Sequence, residues 1–245
     1  PDVVHLHNIH GYYVNYKLLL EYLEQKGVEV VWTFHDCWAF TGHCAHFFNA
    51  SCNKWMTQCD DCPLKCSYPK SLFYDNSKGN YLLKKSLYSG LKLTVVAVSD
   101  WMHELVKQSL LHGRKVEVIH NGVDLAVFKP SSSVEKNGFN VLAVSNVWNE
   151  DKGLKDIVIL RSMLDQSIGI TVIGLTHEQR KKLPSGINGR ERASSLKELV
   201  EAYSAADVLI NPTYADTFPT INLEALACGT PVITYNTGGS PEAVD

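Results

Sequence analysis

The 245-residue sequence lacks several features, and each absence narrows its function. No apolar stretch approaches the roughly 18 to 20 residues that a membrane-spanning helix needs. The first residues, PDVVHLHNIHG, have neither the basic start nor the long apolar middle of a secretory signal. No long run of Lys or Arg occurs, basic and aromatic residues do not interleave, and the formal net charge is -3, so no nucleic-acid partner is expected. Internal repeats and low-complexity tracts are absent as well. These absences set the expectation of a cytoplasmic protein, with loose peripheral association at the inner face of a membrane left open.

What is present is enough apolar material for a core. With 45% hydrophobic and 20% charged residues, the chain is expected to form two domains. It starts at Pro1 rather than Met and stops at Asp245 directly after a strand-turn unit, so truncation at both ends is expected.

Apolar runs and helical periodicities alternate along the chain. A strand at Val3, Val4 and Leu6 precedes a helix over 12–25, a strand over 28–34, a helix over 81–88, a strand over 93–98, a helix from Ser99 through 111 and a strand over 116–119. Turn chemistry follows, with His120 to Asp124, Phe128-Lys129-Pro130 and three serines, and predicts a domain boundary near residue 130. The domains are therefore read as 1–130 and 131–245. In the second, strands at 140–145, 170–173, near Ile187, 207–212 and 231–235 alternate with helices at 154–164, near Glu178, on the Leu196, Leu199, Val200, Tyr203 face, and after Thr220. This alternation predicts an α/β fold with parallel sheets covered on both faces, which bind ligands beyond the carboxyl ends of their strands.

The stretch DVLINPTYADTFPTINLEALACGTPVITYNTGGSPEAV carries the chemistry best suited to a ligand. Asp216 lies in the loop after a strand, Thr220 stands where an N-cap would open a helix, and Glu224 lies one turn in. Free amides at such a helix start attract anions, and the two acids accept hydrogen bonds from hydroxyls. A phosphorylated ligand bearing a sugar fits that combination.

Six of seven cysteines fall between Cys37 and Cys66, and Cys44, Cys52, Cys59 and Cys62 give a C-x7-C-x6-C-x2-C spacing. Reduced thiols at that spacing predict a structural Zn2+ site; disulfides in an exported protein and an unligated loop are the rival readings. Trp38, Phe40, Phe47, Phe48 and Trp55 either line an acceptor surface or pack around that loop. His35, at the carboxyl end of the second strand, is a candidate for binding a sugar hydroxyl or moving a proton. His7 and Asn8 are candidates for an acceptor site, and His5 for a structural role.

The stretch from Asp216 to Pro231 resembles the donor signature of retaining GT-B glycosyltransferases of the group 1 family, bacterial surface polysaccharide enzymes among them. Asp216, Phe218, Pro219, Glu224, Ala225, Leu226, Ala227, Gly229, Pro231 and Val232 carry the match, and NGVD followed by Phe128 and Pro130 matches the family's domain junction. Asp216 replaces the usual Glu, Pro219 replaces a frequent Gly, and Asn146, Val147 and Trp148 stand where an Arg is usual.

The resemblance implies two Rossmann-like domains facing a cleft; the Cys-rich loop 37–66 in the first is read as an insert peculiar to this chain. It implies transfer of a hexose from a nucleotide sugar to a glycan or lipid-linked acceptor with retention of configuration. Glu224 would hold the donor ribose. Lys152 and the amides of Phe218, Thr220 and Ile221, beside Pro219, would hold the diphosphate, and Asp216 and His35 would position the sugar. No catalytic metal is expected. A non-catalytic nucleotide-sugar-binding protein, and an epimerase or phosphorylase on the same plan, are the alternatives.

Overall fold

The computed structural model describes residues 1–71 and 73–244, leaving aside the side chain of Asn49. It divides into two compact units, Pro1–His120 and Asn121–Asp245. The division falls earlier than the boundary near residue 130, because Phe128 is buried in the core of the second unit, its ring 6.4 Å from that of Tyr203.

The first unit contains β1 (Val3–Leu6), α1 (Tyr16–Lys26), β2 (Glu29–Phe34), α2 (Ser77–Ser89), β3 (Lys92–Ala97), α3 (Asp100–Gln108) and β4 (Lys115–Val118). The strands are parallel and neighbour one another in chain order, β1-β2-β3-β4. β2 and β3 bury alternate positions, Val30, Trp32 and Phe34 beside Leu93, Val95 and Ala97 in register, and end in continuously buried runs. α1 starts at Tyr16 rather than near residue 12, because the Asn15 side chain accepts from the Leu18 amide and caps it there. α3 ends at Gln108, before the expected 111, where the Ser109 hydroxyl accepts from the Leu111 amide and starts a turn.

Between β2 and α2 the described residues form only three-residue helical turns, at Trp38–Phe40, Phe48–Ala50 and Lys54–Met56. This segment is nonetheless packed. Phe40, Phe47 and Trp55 are buried in the core of the unit, so of the aromatic residues considered for an acceptor surface these three belong to packing.

In the second unit β5 (Asn140–Val144), α4 (Leu154–Met163), β6 (Gly169–Ile173), α5 (His177–Lys181), β7 (Ile187–Arg190), α6 (Leu196–Ala205), β8 (Val208–Asn211), α7 (Thr220–Ala227) and β9 (Val232–Thr234) alternate as expected. Their parallel order is β7-β6-β5-β8-β9. The chain starts at β5, builds toward one edge, then returns to build the other, so a topological switch point lies between β5 and β8. One apolar cluster holds Leu142, Tyr203, Leu209 and Ala225; a second holds Val141, Ile157, Ile170 and Val172. Among the described residues, no helix is long and apolar enough to cross a membrane.

Candidate functional site

The carboxyl ends of β5, β6 and β7 and the start of α7 enclose a cavity of about 480 Å³. Ser145 and Asn146 follow β5, Gly174 follows β6, Arg192 and Ser194 follow β7, and Thr220, Ile221 and Glu224 come from α7. The loop after β7 is organised by Glu198, whose carboxylate pairs with Arg190 and accepts from the Ser194 amide and hydroxyl at 2.7 Å each.

Glu224 is half-buried on the cavity wall, and its Oε2 accepts a 2.7 Å hydrogen bond from the hydroxyl of Tyr203. Tyr203 lies in the core with no exposed surface, so its phenol is a fixed donor. Burial and the adjacent Glu224 carboxylate push its own ionisation far up, which keeps the proton on the tyrosine. One carboxylate oxygen is thus held from behind, and a ligand hydroxyl donating to Glu224 would meet a fixed acceptor. The sequence pattern marked Tyr203 only as an apolar-face residue; its hydroxyl role depends on α6 packing beside α7, which local spacing does not reveal.

α7 opens one residue earlier than expected: Pro219, not Thr220, occupies the N-cap position, and Thr220 is already helical. Thr220 and Ile221 are its first helical residues, whose amides have no acceptor within the helix. Phe218 is buried, and its amide donates to Asp216 Oδ1 at 3.3 Å, so this amide of the expected anion-facing set is already engaged. Pro219 is buried as well and has no amide hydrogen to offer.

Lys152 and Asp216 come together at the switch point, one after β5 and the other after β8. The Lys152 amine donates to Asp216 Oδ2 at 2.7 Å and lies 3.4 Å from Thr213 Oγ1. The loop bearing Asp216 is clamped from the far side. The Gly239 amide donates to the Asp216 carbonyl at 3.2 Å, and at Gly238, with φ +56°, an added Cβ would stand 2.0 Å from that oxygen. In the region lacking the usual Arg, Asn146 lines the cavity, while Trp148 is structural, its indole N–H donating to the Ile173 carbonyl at 2.8 Å.

In the first unit three histidines gather at the ends of β1 and β2. His5 lies 2.8 Å from Thr33 Oγ1, and His7 Nδ1 lies 2.9 Å from His35 Nε2. Burial first, then the neighbouring His7, lowers the pKa of His35, so its imidazole is neutral at neutral pH. Close by in sequence, Asp36 Oδ2 pairs with His10 Nε2 at 3.1 Å and its Oδ1 accepts from the Trp38 amide at 2.8 Å. A second cavity, about 260 Å³, is lined by His10, Tyr12, Tyr16, Trp38, Lys70 and Asn80.

The expected metal-binding cysteines share one locality. Cys44, Cys52, Cys59 and Cys62 line a cavity of about 10 Å³, and all seven cysteines are free. Their sulfurs are not drawn to mutual ligating distance: among the described residues, no three of them lie within 4.8 Å of one another. The hydrogen bond between Cys44 and Cys62 raises the first thiol and brings the second down to about 7, while burial raises Cys59 to about 11.

Residues 1–127 match the family model described as Glycosyltransferase Family 4, and residues 138–245 match the one described as Glycosyl transferases group 1. The putative colanic acid biosynthesis glycosyl transferase WcaC of Escherichia coli K12 is 27% identical over 256 residues, covering 100% of this chain and 62% of the relative. A D-inositol 3-phosphate glycosyltransferase of Corynebacterium jeikeium is 53% identical over 49 residues, 20% of this chain and 12% of its own. In fold, the chain is similar to sucrose-phosphate synthase from Thermosynechococcus elongatus, with a TM-score of 0.68 at 16% identity over 97% of this chain and 57% of that one. It is also similar to Anabaena HepE in complex with UDP and glucose, with a TM-score of 0.56 at 16% identity over 100% and 83% of the two chains. The chain thus spans less than two thirds of WcaC and of the sucrose-phosphate synthase. Matched over more than half its length by one glycosyltransferase model and over most of the remainder by another, the chain belongs to the glycosyltransferase family that the two describe.

Proposed function

We propose that the protein of which this chain is part transfers a hexose from a nucleotide sugar to a hydroxyl of a glycan or lipid-linked acceptor, with retention of configuration. The reading rests first on Glu224, held by Tyr203 on the wall of a cavity large enough for a nucleoside. Its carboxylate accepts from the ribose hydroxyls. The amides of Thr220 and Ile221 and the positive end of α7 face the diphosphate. Lys152 exchanges its partner Asp216 for a phosphate oxygen, and Asp216, so released, accepts from a sugar hydroxyl.

During transfer the bond from the anomeric carbon to the diphosphate oxygen breaks and a bond to the acceptor oxygen forms. Negative charge gathers on the diphosphate, and prepositioned amides with Lys152 stabilise it without reorganisation. The acceptor hydroxyl must also lose its proton, and neutral His35 is suited to assist. The acceptor is assigned to the aromatic cavity at His10, Tyr16 and Trp38, whose flat faces and polar rim suit a sugar ring. The similarity to WcaC, a putative colanic acid biosynthesis glycosyl transferase, supports a place in polysaccharide synthesis.

The test is transfer from radiolabelled nucleotide sugars by the full-length protein across an acceptor panel, with the anomer of the product determined. Transfer with retained configuration is expected, and Glu224→Ala should weaken donor binding with the fold intact. Binding without turnover would favour a non-catalytic nucleotide-sugar-binding protein, for which Asn146, Val147 and Trp148 in place of the usual Arg argue. Products from nucleotide sugar alone, or with inorganic phosphate, would indicate an epimerase or a phosphorylase.

A further inference from the structure

The described residues between Thr41 and Asn76, which connect β2 to α2, have little regular backbone, yet they supply His43 and Lys70 to the wall of the aromatic cavity. Something other than secondary structure must hold this segment. We infer that Cys44, Cys52, Cys59 and Cys62 bind one Zn2+ ion as four thiolates, and that this ion fixes the segment against the first unit.

Several independent observations converge there. The four thiols, separated by up to eighteen positions, line one cavity of about 10 Å³, a volume on the scale of a single ion or one water. The remaining cysteines do not line it: Cys37 is buried nearby but outside the lining, Cys66 is exposed and Cys228 belongs to the second unit. The Gly42 amide donates to Cys59 Sγ at 3.1 Å, the kind of N–H to sulfur contact that stabilises a thiolate. Gly42 permits this approach because it lacks a Cβ, which would stand 2.7 Å from Cys59 Cβ and 2.1 Å from the Ser77 carbonyl oxygen.

Two polar atoms of residues lining the cavity, His43 Nε2 and Trp55 Nε1, are buried with no partner. Orphaned buried groups call for an explanation, and electron-rich metal-bound sulfur would accept from the indole N–H. Lys54 donates to the carbonyls of Asp60 and Asp61 at 2.8 and 2.9 Å, bracing the turn between Cys59 and Cys62 and bringing a positive charge beside a site that becomes anionic when thiolates bind a divalent ion.

Ligation draws the sulfurs inward to the roughly 2.3 Å metal distance of zinc thiolates. Each thiol that is protonated beforehand gives up its proton to solvent, and the ion takes the sulfur lone pairs with no change of oxidation state. With four thiolates bound, the ion has no open position for chemistry, so its role is structural.

The experiment is elemental analysis of the full-length protein, purified without chelator under reducing conditions, with Co2+ substitution as a second readout. We expect about one zinc per chain, an intense thiolate-to-cobalt absorption in the substituted protein, loss of metal in Cys59→Ser and Cys62→Ser, and full occupancy in Cys66→Ser and Cys228→Ser. If the first two variants fail to fold, the cobalt spectrum of the unsubstituted protein still decides, since four thiolates give a signature that one or two do not. Metal-free protein with four alkylatable thiols overturns the inference, as does a disulfide between Cys44 and Cys62 in mass spectra of unreduced protein. None of these readouts requires sugar transfer, so the inference stands or falls apart from the proposed activity.

Discussion

A single phenol decides how sharply Glu224 is defined. Tyr203 buries its ring in the second unit's core and spends its one donor on Glu224 Oε2. Tyr203→Phe should therefore leave the fold standing, lower stability by about 1 kcal/mol, and weaken nucleotide binding several-fold as the carboxylate loses its fixed orientation. Glu224→Gln should cost more, about tenfold or greater, since it removes the charge from hydrogen bonds worth roughly 1.5 to 3 kcal/mol. Titration calorimetry with a nucleotide diphosphate, beside urea unfolding, separates the two effects. Equal affinity in all three proteins would remove Glu224 from the donor site. At this scale the sequence was informative about acids and silent about partners. Asp216 and Glu224 stood out because they flank a helix start, whereas the contacts Lys152 to Asp216 and Tyr203 to Glu224 join residues that meet only once β5 lies beside β8 and α6 beside α7.

Among the elements, α2 carries the largest departure from what periodicity suggests. Lys84 would be placed on a solvated face by its chemistry, since lysine is almost never fully buried unless paired. It is instead completely buried, with its amine donating to the carbonyls of Trp38 and Thr41 at 2.5 and 2.9 Å and lying 3.4 Å from the centre of the Trp38 ring. Tyr88, one turn along, donates to the Ala39 carbonyl at 2.7 Å. Two side chains of one helix thus satisfy the carbonyls of a single short helical turn, Trp38–Phe40, and of the residue after it. Lys84→Ala should lower stability by about 3 kcal/mol or more, because it leaves a cavity and two unpaired carbonyls, and should loosen the aromatic cavity that Trp38 lines. Hydrogen exchange at residues 38–44 would report the loosening, and unchanged protection there would contradict it. Helix and strand positions were otherwise legible from periodicity, and Ser99, read as the cap of α3, accepts from the Met102 amide as a local signal should. The ends of α1 and α3, and the opening of α7 at Pro219 rather than Thr220, were set by single hydrogen bonds or by neighbouring turns.

For the whole molecule, that buried lysine has a consequence for pH. Burial lowers its pKa from the ordinary 10.5 to about 7, so between these values the unfolded chain binds a proton that the folded chain does not. Stability then rises with pH across that window, and the penalty is fully present below pH 7. Unfolding free energies at pH 7 and pH 9.5 should differ more for the natural protein than for Lys84→Met, whose difference isolates this group from the cysteines and tyrosines titrating nearby. A common slope would place the charge elsewhere. The division into two units, each with a separate core, also predicts that a nucleotide diphosphate protects residues 121–245 from exchange while leaving 1–120 unchanged, because every residue lining the cavity at Glu224 belongs to the second. The order of strands in that unit, and so the switch point, was not legible: alternation announces parallel strands but does not say on which edge each is laid.

The turn behind Asp216 bears on how sugar preference would change over generations. With Gly238 seated against the carbonyl of that acid, any side chain there shoves the whole loop forward while leaving the carboxylate chemically intact. If Asp216 meets the sugar as proposed, substitution at Gly238 should alter sugar preference through the backbone of that loop, before the acid itself is exchanged.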